Sequence, residues 1–442
     1  MAELNYLPLL ETQVSQRILS DSEIELLVKH YGTPLYVIDE ATLRKKVRDL
    51  KSAYSNFEGF VKIAYSMKAN FNPSVIKVFI SENTLFDVTS IGELYFYLKC
   101  GGNSENVIYT SVTEEKSEYI EVLKKGISTI VVSSYNGLLN LIDASNALNI
   151  QPKVLIRVNP EVGVKAEVRA SYRYGKFGVP FNTNALDSAK CLLKKILSTQ
   201  QLKFEGFHFH LGSQITDPTC YLNALDKLEN FILRMRKIYP DLNFNTIDIG
   251  GGTPVFYDEP VPTPYQIGSL VSERLNRMRN NLNCKFDLIV ESGRYLSAEA
   301  CILISKVVNV KEYANQKYVF LDSGYHLLLD AALLRQPYPL EVIPKSWVKD
   351  NLKVNVVGRL CDTYDVFVVP PSSNLSGIEC GKLVVFYNVG AYSIVFNMPF
   401  HCQTKPAIVM RLMDGRYVLA RKAQSLEELF NEEGGYLDLS ST

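Results

Sequence analysis

The sequence predicts an α/β fold: a (β/α)8 barrel plus a C-terminal, mostly antiparallel β domain that also takes in the N-terminal strand. Three observations predict it. Eight β-rich runs recur between residues 61 and 294, and stretches with helical apolar spacing lie between them. After residue 295 the helical stretches thin out, and strand runs follow one another. The 442 residues also leave room for a barrel of about 250 residues and an addition to it. A doubly wound sheet is the rival, but it rarely needs eight consecutive units of this kind. The predicted boundaries are an N-terminal segment, 1–34, that joins the β domain, the barrel at 35–294, and the β domain at 295–442.

The eight runs are VKIAYSMKA (61–69), TLFDVTS (84–90), NVIYTSV (106–112), STIVVSS (128–134), KVLIRVNP (153–160), EGFHFHLGS (205–213), TIDIGGG (246–252) and DLIVESGR (287–294). Segments such as SIGELYFYLKCGG and ALDKLENFILRMRKIY separate them, with apolar residues at i, i+3, i+4 and i+7. The later runs are ILISKVVNVKEY, KYVFLDSG, LKVNVVGRL, DVFVVPP, KLVVFYNVGAY and AIVMRLMDGRYVLARK. The Asp-Gly of MDGRY signals a hairpin turn. PLLET (8–12) and PLYVIDE (34–40) are expected to contribute to the β domain ahead of the barrel.

Composition narrows the function classes. Basic and acidic residues balance, 47 against 47, which argues against nucleic-acid or membrane-surface partners, since both need a basic field. No apolar stretch approaches the roughly 20 residues of a membrane span. The opening MAELNYLPLLETQVSQRI has no basic region and is interrupted by polar residues, unlike a signal peptide. The eight cysteines form no CxxC pair and match no zinc spacing, as expected of thiols in a reducing cytoplasm.

In a barrel, functional groups gather at the C-terminal ends of the strands. That rule brings Lys68, Asp87, Arg157, His210, Ser213, Gly250, Gly251, Gly252, Glu291 and Arg294 to one face. Lys68 follows an apolar run and is expected at the rim of a pocket, where burial lowers a lysine's pKa and suits it to Schiff-base formation; the plainer alternative is a lysine that has emerged into solvent. The three glycines and Arg294 suit an anion such as phosphate, against a tight turn and a surface ion pair. Glu291 follows DLIV, so it needs a cationic partner: a pyridinium N–H, or internally Arg157. His210 offers a ring face for stacking; His208, two residues away, shares its side of the strand, and His210 is preferred as nearer the strand end. Together these parts describe a site for pyridoxal 5'-phosphate, an electron sink for a carbanion at a substrate α-carbon.

YSMKAN, FDVTSIGEL, IRVNP, YGKFGV, HFHLGSQ, DIGGG, ESGR, CDTYD and GAY follow in an order that resembles the pyridoxal-phosphate decarboxylases of the alanine-racemase-like fold, which include diaminopimelate, ornithine and arginine decarboxylases. The resemblance spans roughly residues 30 to 415. It implies a head-to-tail homodimer with two sites at the interface and an amino-acid substrate. Lys68 would carry the cofactor, His210 stack on it and Glu291 meet the pyridine nitrogen. Ser213, Gly250 to Gly252, Gly293, Arg294 and Tyr392 would surround the phosphate. Cys361 and Asp362 would come from the partner subunit, and Cys361 would return a proton to the α-carbon. From the residues alone, Cys361 reads as a structural thiol.

The departures bear on substrate. CDTYD stands where diaminopimelate decarboxylases usually have a CESGD-like segment, GRLC replaces GPLC, and NMPFHCQTKP is not the usual segment after the tyrosine. Where the family usually places an arginine for the distal carboxylate stands Asp330, with Arg335 displaced nearby. An aspartate there suits a distal amine. The expected function is therefore decarboxylation of an amino acid or derivative, with a specialised substrate of siderophore or antibiotic type. The alternatives are a meso-diaminopimelate decarboxylase of lysine synthesis, an amino-acid racemase, and a regulatory homologue without catalysis. Racemases of this fold usually place an arginine at the ring nitrogen, and non-catalytic homologues typically lose the lysine or the thiol.

Overall fold

The computed structural model describes residues 17–181, 183, 185–344 and 352–434. They form two compact units: residues 44–255 with 261–296, and residues within 11–43 and 297–442 with 256–260.

The first strand, β1 (Leu35–Asp39), belongs to the second unit. The first unit is a closed barrel. Its strands are β2 (Val61–Ser66), β3 (Leu85–Val88), β4 (Val107–Tyr109), β5 (Thr129–Val132), β6 (Lys153–Arg157), β8 (Lys203–His208), β10 (Thr246–Asp248) and β11 (Asp287–Ser292). All pair in parallel, and β11 closes on β2. Every predicted run supplies one of them. Two short strands not anticipated, β7 (Ala166–Arg169) and β9 (Gly212–Ile215), pair as a separate antiparallel ribbon.

Helix starts are written locally. Asn72, Ser90, Ser134, Ser188 and Thr263 each accept a backbone N–H of the helix that follows. Such caps are worth about 1 kcal/mol apiece. The apolar floor of the barrel consists of Ala64, Ile108, Val131, Leu155 and Ile289, with Leu85 packed against them. Side chains two residues apart on a strand share a face. The next residues on that face after Leu85, Leu155 and Ile289 are Asp87, Arg157 and Glu291, so a polar layer lies directly above the floor.

The second unit is an eight-stranded sheet. After β1 come β12 (Cys301–Tyr313), β13 (Gln316–Leu321), β14 (Leu340–Ile343), β15 (Lys353–Val357), β16 (Leu383–Phe386), β17 (Ala407–Arg411) and β18 (Tyr417–Arg421). β1 lies between β12, to which it is antiparallel, and β17, to which it is parallel. All five of its residues are buried. PLYVIDE thus joins the β domain, as expected of a β domain that takes in the N-terminal strand, and the barrel unit runs from residue 44 rather than 35. Leu19, Ile24 and Leu27, around helix Asp21–Tyr31, pack into the same core as Leu35, Val37, Ile302 and Val409. The hairpin at MDGRY joins β17 to β18, with Gly415 at φ +84°. DVFVVPP makes only a single bridge, Val357 to Val366, because prolines 370 and 371 cannot donate to a ladder. PLLET lies outside the described residues.

Candidate active site

The polar layer sits at the C-terminal ends of the barrel strands, and its members are nearly inaccessible: Asp87 and His208 are 1% exposed, Asp248 0% and Glu291 2%. Arg157 is also buried, with its guanidinium 4.7 Å from the centre of the Phe177 ring. Glu291 faces His208, Nε2 to Oε1 at 3.6 Å, and among the described residues it forms no ion pair with Arg157. Burial pushes the carboxyls of Asp87 and Asp248 up, and the Glu291 charge adds to both. For Glu291 burial acts the same way, but His208 and then Lys68 outweigh it and hold the group below the usual carboxylate range. Burial also lowers Arg157. Three carboxyls thus share a dry space in which one, Glu291, is the preferred anion.

Lys68 enters from a 3-10 turn, Met67–Ala69, whose flanking side chains are fully buried. The expected burial of Lys68 is not what the structure has. Its side chain is 42% exposed, with Nζ 3.5 Å from Oδ2 of Asp87. It is a reachable amine that faces the Asp87 carboxylate. Gly293 keeps this turn close: a Cβ there would lie 2.8 Å from Ala69 Cβ and 3.2 Å from the Ser66 carbonyl oxygen.

His210 follows β8, and its Nδ1 accepts from the Gly251 N–H at 3.0 Å. Burial, then the Lys68 charge, push its imidazole down to about 3, so the ring is neutral at physiological pH. The Gly250 N–H donates to Asp248 Oδ1 at 2.8 Å. Two of the three amides expected to cradle an anion are therefore engaged by the site's own side chains. Gly250, at φ +64°, instead makes the close approach to Phe209 and His210 that sets the histidine. Ser213 lies on β9, not at the end of β8, and Arg294 Nε donates to its hydroxyl at 3.3 Å. Arg294 is buried and also faces Glu167 at 3.7 Å, so it is no surface ion pair.

The remaining expected residues lie in the sheet unit. Cys361 is exposed, and its N–H donates to His401 Nδ1 at 3.4 Å. Asp362 accepts from the Tyr364 N–H at 2.8 Å. Asp365 secures the loop by accepting from the N–H groups of Tyr325 and Leu360, each at 2.8 Å. Asp330 is buried in the short helix Leu329–Leu333, whereas Arg335 is exposed with φ +57°. Tyr392 also has a left-handed backbone, φ +56°.

The barrel residues suit pyridoxal phosphate. Glu291 Oε1 is buried with no hydrogen-bond partner among the described residues, an acceptor awaiting a donor such as a protonated ring nitrogen. Lys68 supplies an accessible amine, and Ser213 with Arg294 a polar, cationic pair. Asp248 and His208 are not among the residues expected at the site from the sequence. The readable signal was strand parity: both lie on strands of the barrel, and His208 pairs in register with Asp248 and with Arg157. Among the described residues no helix is long and apolar enough to cross a membrane.

Residues 40–298 match the family described as pyridoxal-dependent decarboxylase, pyridoxal binding domain. The diaminopimelate decarboxylase of Zymomonas mobilis is 27% identical over 416 residues, 93% of this chain and 95% of that one. That of Methanothermobacter thermautotrophicus is 29% identical over 413 residues, covering 91% and 92%. The crystal structure of diaminopimelate decarboxylase from Helicobacter pylori complexed with L-lysine superimposes with a TM-score of 0.82 at 25% identity, covering 93% of this chain and 99% of that one. The chain belongs to the pyridoxal-dependent decarboxylase family and is a pyridoxal-phosphate-dependent amino-acid decarboxylase of the alanine-racemase-like fold.

Proposed function

We propose that the substrate is meso-diaminopimelate, decarboxylated to lysine. The observation that carries this reading is likeness along the whole chain: relatives named diaminopimelate decarboxylase align over more than nine-tenths of both partners. Bound pyridoxal phosphate supplies the electron sink that lets the substrate's α-carboxylate leave as carbon dioxide. Lys68 Nζ holds the cofactor's aldehyde. Glu291 accepts from the ring nitrogen and keeps it protonated. The neutral His210 ring packs on the cofactor's plane, and Ser213, Gly252 and Arg294 take the phosphate, with Gly293 and Tyr392 around it. Asp87 and Arg157 balance charge beside Lys68. Cys361 returns one proton to the α-carbon, and Asp362 lies beside it in sequence to face the substrate. The resemblance that assigns Cys361 and Asp362 also makes the working unit a homodimer with shared sites. Its setting is the cytoplasm, where the thiol stays reduced.

One observation favours a second reading, a specialised amino acid without a distal carboxylate. Asp330 stands where the resemblance puts an arginine, and it is 4% exposed. A buried aspartate repels a carboxylate and suits an amine. Carbon dioxide release from meso-diaminopimelate, ornithine, lysine and arginine, with added pyridoxal phosphate, separates the two. Release from diaminopimelate alone is the expected result. Release from a substrate with a distal amine and no distal carboxylate establishes the second reading. Silence on all four with cofactor bound points to a conjugated amino acid.

A further inference from the structure

His208 has no part in the scheme above, yet its placement is costly. Both ring nitrogens are buried without a hydrogen-bond partner among the described residues. A buried polar group left unmet is destabilising. Its neighbours are in a similar state. Glu291 Oε1 and Asp248 Oδ2 are also buried without a partner among those residues. One ligand atom from each of His208, Asp248 and Glu291 lies within 4.8 Å of the others, and His208 Nε2 is 3.6 Å from Glu291 Oε1. Closing that gap to an ordinary N–H···O distance of about 2.9 Å asks for a shift of less than 1 Å.

Charge points the same way. The groups facing Glu291 are Lys68 beyond β2, Asp87 on β3, Arg157 on β6, His208 and His210 on and after β8, and Asp248 on β10. Counted without His208 and with the His210 ring neutral, three carboxylates oppose two cations, an excess of one negative charge in a buried space. One retained proton removes it.

We propose that His208 is a positioning residue: it donates Nε2–H to Glu291, holding the carboxylate that meets the cofactor's ring nitrogen, and with Asp248 it keeps one proton beside that carboxylate. The direction of the Asp248 shift agrees, since burial and the Glu291 charge make it the carboxyl that retains a proton. Glu291 rather than Asp248 is then the anion offered to the ring. The inference rests on the assignment of Glu291 to the ring nitrogen, not on the identity of the substrate.

The test reads cofactor binding rather than turnover. Holoenzymes of the parent, His208→Ala, His208→Gln and Glu291→Gln are compared by pyridoxal phosphate dissociation constant and by the pH profile of the bound cofactor's visible absorption. The parent profile is expected to be flat between about pH 6 and 9, as the proton stays within the cluster. His208→Ala should weaken binding about tenfold, the scale of losing a supporting hydrogen-bond partner, and introduce a pH step. His208→Gln, which can still donate one N–H, should recover most of the affinity and keep the step. An unchanged affinity and a flat profile in His208→Ala overturn the proposal. So does equal weakening in both His208 variants with no step, because the imidazole would then merely fill space. If His208→Ala does not fold, the step in His208→Gln decides alone. Should Glu291→Gln leave both readouts untouched, the Glu291 assignment fails and takes the inference with it. An effect in Glu291→Gln with none at His208 removes only the inference.

Discussion

His210 shows how a single residue's surroundings fix its state. Burial and then the cationic Lys68 oppose a proton on the ring, and its Nδ1 is already occupied by the Gly251 N–H. The folded imidazole is pushed down to about 3 from an ordinary 6.5. Between those values the unfolded chain binds a proton that the native chain refuses, so stability rises with pH across that window and falls as the pH is lowered. Glu291, also lowered, acts in the same direction below the carboxylate range. Asp87 and Asp248, both raised, act in the opposite one. Replacing His210 with Gln should therefore flatten the fall in melting temperature of the cofactor-free protein from about pH 6.5 downward. Parallel curves for parent and variant would mean that His210 titrates normally. At this scale the sequence was partly legible. Position alone placed Lys68, Asp87, Arg157 and Glu291 at the C-terminal ends of their strands, where the structure also has them. His208 and Asp248 were passed over because one buried histidine or aspartate looks like any other until the register across β6, β8 and β10 is known.

Gly206 is where an element depends on one backbone position. β6 and β8 slip register between Val154 and Leu155, so two residues of β8 oppose one of β6. Gly206 takes φ +154° there, and a Cβ would lie 1.8 Å from the Thr246 carbonyl oxygen on β10. The bulge sets which way the last residues of β8 face, and His208 is the last of them. Gly206→Ala is expected to cost about 2 kcal/mol or more through overpacking and strain and to weaken pyridoxal phosphate binding with it. Denaturant melts and cofactor titration measure the two losses; a variant as stable as the parent would show that β10 can yield. Strand existence was legible because each barrel strand is a short apolar run bounded by polar residues and turn formers. What local pattern cannot encode is pairing. β14 (LEVI) was too short to stand out, the β7–β9 ribbon is mostly polar, and DVFVVPP has the composition of a strand but prolines where a ladder needs donors.

At the scale of the whole molecule, the proposed chemistry is divided between two units of the chain. Lys68, His210, Glu291 and Arg294 belong to the barrel; Cys361, Asp362, Asp330 and Tyr392 belong to the sheet. The residue proposed to receive the cofactor and the residue proposed to return the proton can therefore come from one chain or from two. The resemblance assigns them to two, and a two-fold dimer makes that assignment testable by arithmetic. Take one dimer carrying Lys68→Ala and another carrying Cys361→Ala. Lys68→Ala should abolish covalent retention of the cofactor, while Cys361→Ala should leave retention intact and impair proton return, so each homodimer is deficient by a different route. After mixing and subunit exchange, half of the dimers are mixed. If sites are shared, each mixed dimer has one site with both residues lost and one with both intact. The mixture should then recover about a quarter of the parent activity. If each site draws Lys68 and Cys361 from the same chain, every site remains damaged, and the mixture shows only the sum of its parents. A sedimentation measurement on the same samples establishes that dimers form and exchange, so an absence of recovery is attributable to site composition. Recovery near a quarter would make exposure of Cys361 in the single chain intelligible: its thiol faces outward because its substrate is bound by the other subunit.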